Sequence, residues 1–195
     1  MAIGDIETFG KITYITGKCM YARVFPYNRD LEGFEGAYKE HDGMYTVMLG
    51  VPKDSEAFKT IMSWNKNYEP KEGGSEKMPL DKGAEKGLMY FTFKRKHKFI
   101  SKKGEVIEDF GGAPKVFMLT DADKETYEPF DASKLIGNGS TVTLKLDVYT
   151  AKPGRSTIRI EAVSVDNLVS ITDENGVEVK AKGSSAFIDD ELPFW

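Results

Sequence analysis

Along 141–149 the side chains alternate without a break. Val142, Leu144, Leu146 and Val148 fall on one face, and Thr141, Thr143, Lys145, Asp147 and Tyr149 on the other. A period of two predicts a strand with one buried and one wetted face. Runs of β-branched and aromatic residues bounded by turn residues predict further strands over 18–27, 44–51, 88–100, 115–120 and 156–171, with the alternating strand spanning 140–150. Lys152-Pro153-Gly154-Arg155 reads as the turn of a hairpin, and Asn175-Gly176 as another tight turn, since Asn-Gly suits positive φ. One stretch changes period. Ser55 can cap a helix that starts at Glu56, and Ala57, Phe58, Ile61, Met62 and Asn65 follow at helical spacing. The helical pattern ends before Pro70, and 69–87 reads as a polar loop containing glycines. Short strands, one helix and no strand–helix–strand alternation predict a mainly β domain over 1–181, a small barrel or sandwich. Residues 182–195 read as a flexible, exposed tail.

A chain of 195 residues is long enough for one domain with a real core. Its single cysteine, Cys19, excludes an internal disulfide and a cysteine-based zinc cage. Cys19 lies beside Met20 in a strand pattern, where a small core residue is the plain reading. Of the two histidines, His41 sits between Glu40 and Asp42, as a solvated loop residue would. No stretch approaches the roughly 18 apolar residues of a membrane span, and the N-terminus lacks a signal-peptide pattern, so an intracellular protein is expected. There is no nucleophile elbow, no H-E-x-x-H, and no phosphate loop, because Gly137-Asn138-Gly139-Ser140 lacks the required lysine. Carboxylate chemistry in the loops 69–87 or 105–113 would need a bound metal or a concave pair of acids, and neither is nominated. A protein without enzymatic activity, metal or cofactor is expected.

Charge is unevenly placed. The net charge is −4, yet 88–104 carries Lys94, Arg95, Lys96, Lys98, Lys102 and Lys103 with no carboxylate, while Asp189, Asp190 and Glu191 end the chain with no base after them. Strand spacing puts Tyr90, Thr92, Lys94, Lys96 and Lys98 on one face and Phe91, Phe93, Arg95, His97 and Phe99 on the other. A row of outward lysines suits phosphates, whose neutralisation releases counterions. The same row would protect an edge strand against aggregation. In 21–29 the alternate positions are Tyr21, Arg23, Phe25, Tyr27 and Arg29. Such a face stacks aromatic rings on bases and pairs arginines with phosphates. Alternatively, Phe25 and Tyr27 are the core of an edge strand, and the pattern leaves both readings open. Lys145, Tyr149 and Arg155 on the predicted hairpin are further candidates for contact. No recognition helix with polar anchors occurs, so backbone tracking and stacking are expected rather than base reading.

The tail, Phe187-Ile188-Asp189-Asp190-Glu191-Leu192-Pro193-Phe194-Trp195, resembles the acidic tip of bacterial single-stranded DNA-binding proteins. The body is similar to the single-stranded DNA-binding proteins of bacteriophages, of the podophage replication type. Gly43-Met44-Tyr45-Thr46-Val47-Met48-Leu49-Gly50-Val51-Pro52 followed by a helix looks like that family's GxYxVxLxxP strand. The aromatic-lysine stretch 90–103 and Leu135-Ile136-Gly137-Asn138-Gly139-Ser140 ahead of the strand at 142–149 resemble two further motifs, in the family's order. The resemblance implies an OB-fold-like five-stranded barrel with one α-helix and extra strands. It implies sequence-independent binding of single-stranded DNA in phage replication, recombination and repair, in the cytoplasm of an infected bacterial host. It implies a tail that contacts replication proteins, a polymerase or a helicase/primase, through Asp189, Asp190, Glu191, Leu192, Pro193, Phe194 and Trp195, and that competes with DNA. It also allows a homodimer. Two features depart from the pattern: the tail has three acids rather than a long acidic run, and Trp195 follows Phe194. The contrasting expectation is a structural β-sandwich protein of a virion, in which the lysine row only guards an edge.

Overall fold

The computed structural model describes residues 1–31 and 42–180. Nine strands and one α-helix occur among them: β1 (Ile6–Phe9), β2 (Ile12–Arg23), β3 (Met44–Pro52), α1 (Glu56–Trp64), β4 (Lys71–Glu72), β5 (Leu88–Lys96), β6 (Lys115–Asp121), β7 (Thr126–Pro129), β8 (Thr141–Lys152) and β9 (Arg155–Asn167). They form one sheet in the order β4-β5-β3-β2-β8-β9-β6-β7, with β1 added to β2. The architecture is mostly β with one helix, and it is OB-like. β2 is its spine, pairing with β8 through Ile12–Lys18 and with β3 through Lys18–Arg23.

The alternation read in 141–149 decides what is inside. Val142, Leu144 and Leu146 are fully buried and meet Ile15, Leu49, Phe91, Phe93, Ile160, Val163 and Val165 in the main core. Helix α1 lies on this core. The Ser55 hydroxyl accepts the Phe58 N–H at 3.2 Å, and Ala57, Ile61 and Trp64 are buried. Phe58 and Met62 complete the apolar stripe at the rim of the core. The hairpin between β8 and β9 turns through Pro153 and Gly154, with Gly154 at φ 73° as the turn requires.

No backbone ladder joins β5 to β9, so strand pairing does not close the sheet. A side chain spans that seam instead. The Arg95 guanidinium, on β5, donates to the carbonyls of Gly111 at 2.8 Å, Gly112 at 2.7 Å and, across the seam on β9, Ile160 at 3.0 Å. Its charge is met by Glu161, 3.6 Å away. Only an arginine presents so many donors in one plane.

A second apolar cluster lies on the opposite, outer face of the sheet. The segment 73–87 folds across β3 and β5, and its Met78 and Ala84 pack on Met20, Met48, Leu88 and Tyr90. The polar loop expected at 69–87 is therefore a fixed strap. Glu85 donates its N–H to the Tyr90 hydroxyl at 3.0 Å, and its carboxylate lies 3.8 Å from Lys18. Gly50 makes room for Tyr90, whose ring is 2.5 Å from where a Cβ would sit.

Candidate nucleic-acid interface

Among the described residues, the strap covers the half of the outer face of β2, β3 and β5 around Met20, Met48 and Tyr90 and leaves the other half uncovered. There Arg23, Thr46 and Lys94 lie side by side across the three strands, and Lys96 sits beside Met44. Thr92 and Lys94 are exposed and Lys96 is half-buried, while Phe91, Phe93 and Arg95 turn inward. The alternation expected for this strand thus holds from Phe91 to Lys96. Arg23 is 3.5 Å from Asp30, which bridges to Met44 beyond the end of β2.

The Tyr21–Arg29 face is not formed, and the backbone explains why. Tyr21 has φ 52°, the ladder shifts register between Met20 and Arg23, and β2 ends there. A left-handed residue inside a strand breaks the period of two. Pro26 then opens a 3-10 turn over Pro26–Asn28. Phe25 and Tyr27 are each 6% exposed, stacked on one another with centroids 5.4 Å apart, and Phe25 also stacks on Phe130. The Tyr27 hydroxyl donates to the Ala132 carbonyl at 3.2 Å, and burial pushes its pKa well up. Both are core residues, so neither offers a ring to a base. Tyr90, a candidate contact on the face that the alternation turns outward, is likewise closed to a base, being 1% exposed beneath the strap. Tyr21 is half-buried against the strap cluster, with its N–H given to the Asn138 side chain at 2.8 Å.

Beyond β5 the chain forms an arm that returns to the sheet at Gly112. Ile107 donates to the Phe99 carbonyl at 2.9 Å and Gly112 to the His97 carbonyl at 2.7 Å. Lys102 and Lys103 are exposed in its end turn, before Gly104 at φ 82°. Lys98 is exposed at its root, 3.6 Å from Asp42. His97 Nδ1 lies 2.6 Å from the Tyr45 hydroxyl, and burial, helped by the Arg29 charge, holds His97 below its ordinary pKa. Lys96 Nζ is 5.5 Å from the centre of the Phe99 ring, Phe99 meets Phe110 edge to face at 5.5 Å, and the Arg159 guanidinium is 4.7 Å from the Phe110 ring. Arg159 is also anchored by Glu161 at 2.6 Å and Asp147 at 3.2 Å.

A second aromatic and basic area lies at the other end of β2. Lys145 stands beside Tyr14 in register, and Tyr149 is 55% exposed with Lys11 Nζ 5.4 Å from its ring centre. Phe9 is 64% exposed and meets Tyr14 edge to face. Phe9, Lys11 and Tyr14 were missed from the sequence, although Gly10 between two short β-prone runs is the signal of a hairpin. Arg155 begins β9, two residues before Thr157, which pairs with Tyr149, and it bridges to Asn65 beyond α1.

Cys19 is fully buried, and burial pushes its thiol up to about 12, so it is no thiolate nucleophile. Among the described residues no group of three or more His, Cys, Asp or Glu could hold a metal ion, and no helix is long and apolar enough to cross a membrane. The tail residues Asp189 to Trp195, and His41, lie outside the described residues.

No family model matches the sequence, and no curated protein does. Among solved structures the chain is similar to gp2.5, a single-stranded DNA binding protein encoded by bacteriophage T7. That match has a TM-score of 0.47 and 19% identity over 86% of this chain and 97% of that one. It is also similar to the single-stranded DNA-binding protein from bacteriophage Enc34 in complex with single-stranded DNA, with a TM-score of 0.48 and 15% identity over 80% of this chain and 86% of that one. Another structure of the Enc34 protein matches at a TM-score of 0.46 and 13% identity, over 86% of this chain and 87% of that one. These structural neighbours are phage single-stranded DNA-binding proteins.

Proposed function

We propose that this protein binds single-stranded DNA without sequence preference, along the outer face of β2, β3 and β5 beside the strap. The observation that carries the reading is the basic row Arg23 and Lys94 with Lys96 beside it, continued by Lys98, Lys102 and Lys103 on the arm. The strand 2–3 face of an OB-fold is a usual oligonucleotide surface, and strap and arm bound its counterpart here. Lysines on a rigid strand supply phosphate contacts at a regular spacing, and point charges of this kind do not distinguish bases. Tyr21 borders the row. Lys145 and Tyr149, with Lys11, Tyr14 and Phe9, form a second area that a longer strand would reach.

The tail belongs to the same proposal. Asp189, Asp190 and Glu191 are complementary in charge to the lysine row and would compete with DNA for it. Leu192, Pro193, Phe194 and Trp195 would serve as an apolar anchor for replication proteins such as a polymerase or helicase/primase. Roles in phage replication, recombination and repair inside the bacterial host, and a homodimer, are parts of this proposal that follow from the resemblance.

The test is a fluorescence-anisotropy titration of labelled poly-dT and of a matching duplex at several salt concentrations. Tight, salt-sensitive binding that favours the single strand is expected. In a Lys94→Ala/Lys96→Ala/Lys98→Ala variant the affinity should fall, and the slope of log K against log salt should flatten by about 0.7 for each phosphate that the variant no longer neutralises. Wild-type protein that ignores poly-dT would defeat the proposal and favour the virion-protein reading. An unaltered slope in the triple variant would move the DNA path off β5.

A further inference from the structure

The aromatic candidates for DNA contact from the sequence are Tyr21, Phe25, Tyr27, Tyr90 and Tyr149; the structure buries Phe25, Tyr27 and Tyr90 and leaves Tyr149 exposed in the second area, so the lysine row keeps the half-buried Tyr21. A different ring stands at the end of that row. We infer that Phe110 is a base-stacking subsite for the single strand, with Phe99 as its support; this rests on the function proposed above.

Phe110 is 43% exposed, although Phe99 beside it is half-buried. Single exposed apolar residues are common and need no explanation. Phe110 differs in how firmly its backbone is held and in what surrounds its ring. Its N–H donates to the Ile107 carbonyl at 3.3 Å, and Gly111 donates to the Glu108 carbonyl at 3.2 Å. The next two carbonyls, Gly111 and Gly112, are gripped by the buried Arg95 guanidinium at 2.8 and 2.7 Å. Gly111 has no room for a side chain, because its Cβ would come within 2.8 Å of the His97 carbonyl. The ring thus stands on a pedestal tied to the seam between β5 and β9, and a fixed ring loses little freedom when a base settles on it.

The surroundings suit a nucleotide. From β5 toward β9 the side chains run Lys96, Phe99, Phe110, Arg159, a cation at each end and two rings between, with neighbours 4.7 to 5.5 Å apart. Lys94 and Lys96 lead into this run along β5, so a backbone tracking the lysines arrives at Phe110. Stacking needs a π-face of any base, which agrees with binding that ignores sequence. Arg159 is committed to Asp147 and Glu161, so it fixes the ring rather than serving as the principal phosphate contact.

Wild-type, Phe110→Ala and Phe110→Trp proteins should be titrated with poly-dT across the same salt series. Phe110→Ala should weaken binding by roughly 5- to 150-fold, the range that stacking on one base covers. Its salt slope should equal that of wild type, since every phosphate-neutralising base is still in place. Phe110→Trp should bind as wild type does, and its fluorescence should be quenched by poly-dT beyond the change shown by wild type. Phe110→Ala protein that binds like wild type overturns the inference and leaves the lysine row standing. Equal weakening in Phe110→Ala and Phe110→Trp also overturns it, because the ring would then act through the fold of the arm. Wild-type protein that does not bind poly-dT overturns the underlying function, and the inference falls with it.

Discussion

Arg95 bridges the unpaired seam between β5 and β9 with a single side chain. It is 7% exposed, and its guanidinium supplies donors to three carbonyls from two separate segments of chain. Burial lowers its pKa and Glu161 raises it, the first effect being the larger. An arginine that stays ionised at such a site owes this to its very high intrinsic pKa. Replacing Arg95 by Met keeps the apolar stem and removes every donor. The Ile160 carbonyl suffers the most costly change, since its residue is fully buried, whereas Gly111 and Gly112 are partly exposed and can reach water. An unsatisfied buried acceptor costs about 1–3 kcal/mol, so Arg95→Met should destabilise the protein by about 2–4 kcal/mol in chemical denaturation. Arg95→Lys should recover little, because an ammonium group cannot span three acceptors in one plane. A wild-type midpoint for Arg95→Met would mean that the core alone holds the seam.

Among the elements, regular strands were legible in the sequence and interruptions were not. The period of two in β8 and in the second half of β5 correctly sorted Leu144 from Lys145 and Phe93 from Lys94, because those strands keep one face on the core throughout. The same rule failed in β2, where the positive φ of Tyr21 resets the alternation before Pro26 ends the strand. It failed again at Tyr90, which has the expected orientation but lies under a strap contributed by another segment. Met78 is the one strongly apolar side chain deep in that strap, and a single residue has no period to read. The seam was hidden for a related reason, since Arg95 and Ile160 are 65 positions apart. The strap itself can be tested through Gly50. A Cβ there would sit 2.5 Å from the Tyr90 ring, so Gly50→Ala should displace Tyr90 and loosen 73–87. Overpacking of this kind costs about 1–3 kcal/mol. Faster tryptic cleavage at Lys77, Lys82 and Lys86 is the expected readout, with a lowered thermal midpoint. Unchanged cleavage at a lowered midpoint would show that the contact between Glu85 and Tyr90 does not hold the strap.

At the scale of the whole molecule, a chain of net charge −4 is proposed to bind a polyanion, and the distribution of charge makes this consistent. Six of the 27 bases stand between 88 and 104 with no carboxylate among them, while three acids and no base lie in the last nine residues. Deleting 187–195 should raise affinity for poly-dT several-fold at about 0.01 M salt, where the screening length is about 30 Å, and much less at 0.15 M, where it is about 8 Å. General charge repulsion predicts a gain as well, so location must be separated from amount. Asp173, Glu174 and Glu178 are exposed at the turn after β9 and provide the comparison. Converting them to Asn, Gln and Gln removes the same number of charges as converting Asp189, Asp190 and Glu191 to Asn, Asn and Gln. Competition by the tail predicts the larger gain for the tail variant, because its acids would meet the same lysines that meet the phosphates. Equal gains for the two variants would reduce the effect to net charge. No gain from the deletion would remove the competition altogether, leaving Leu192, Pro193, Phe194 and Trp195 as a partner anchor alone.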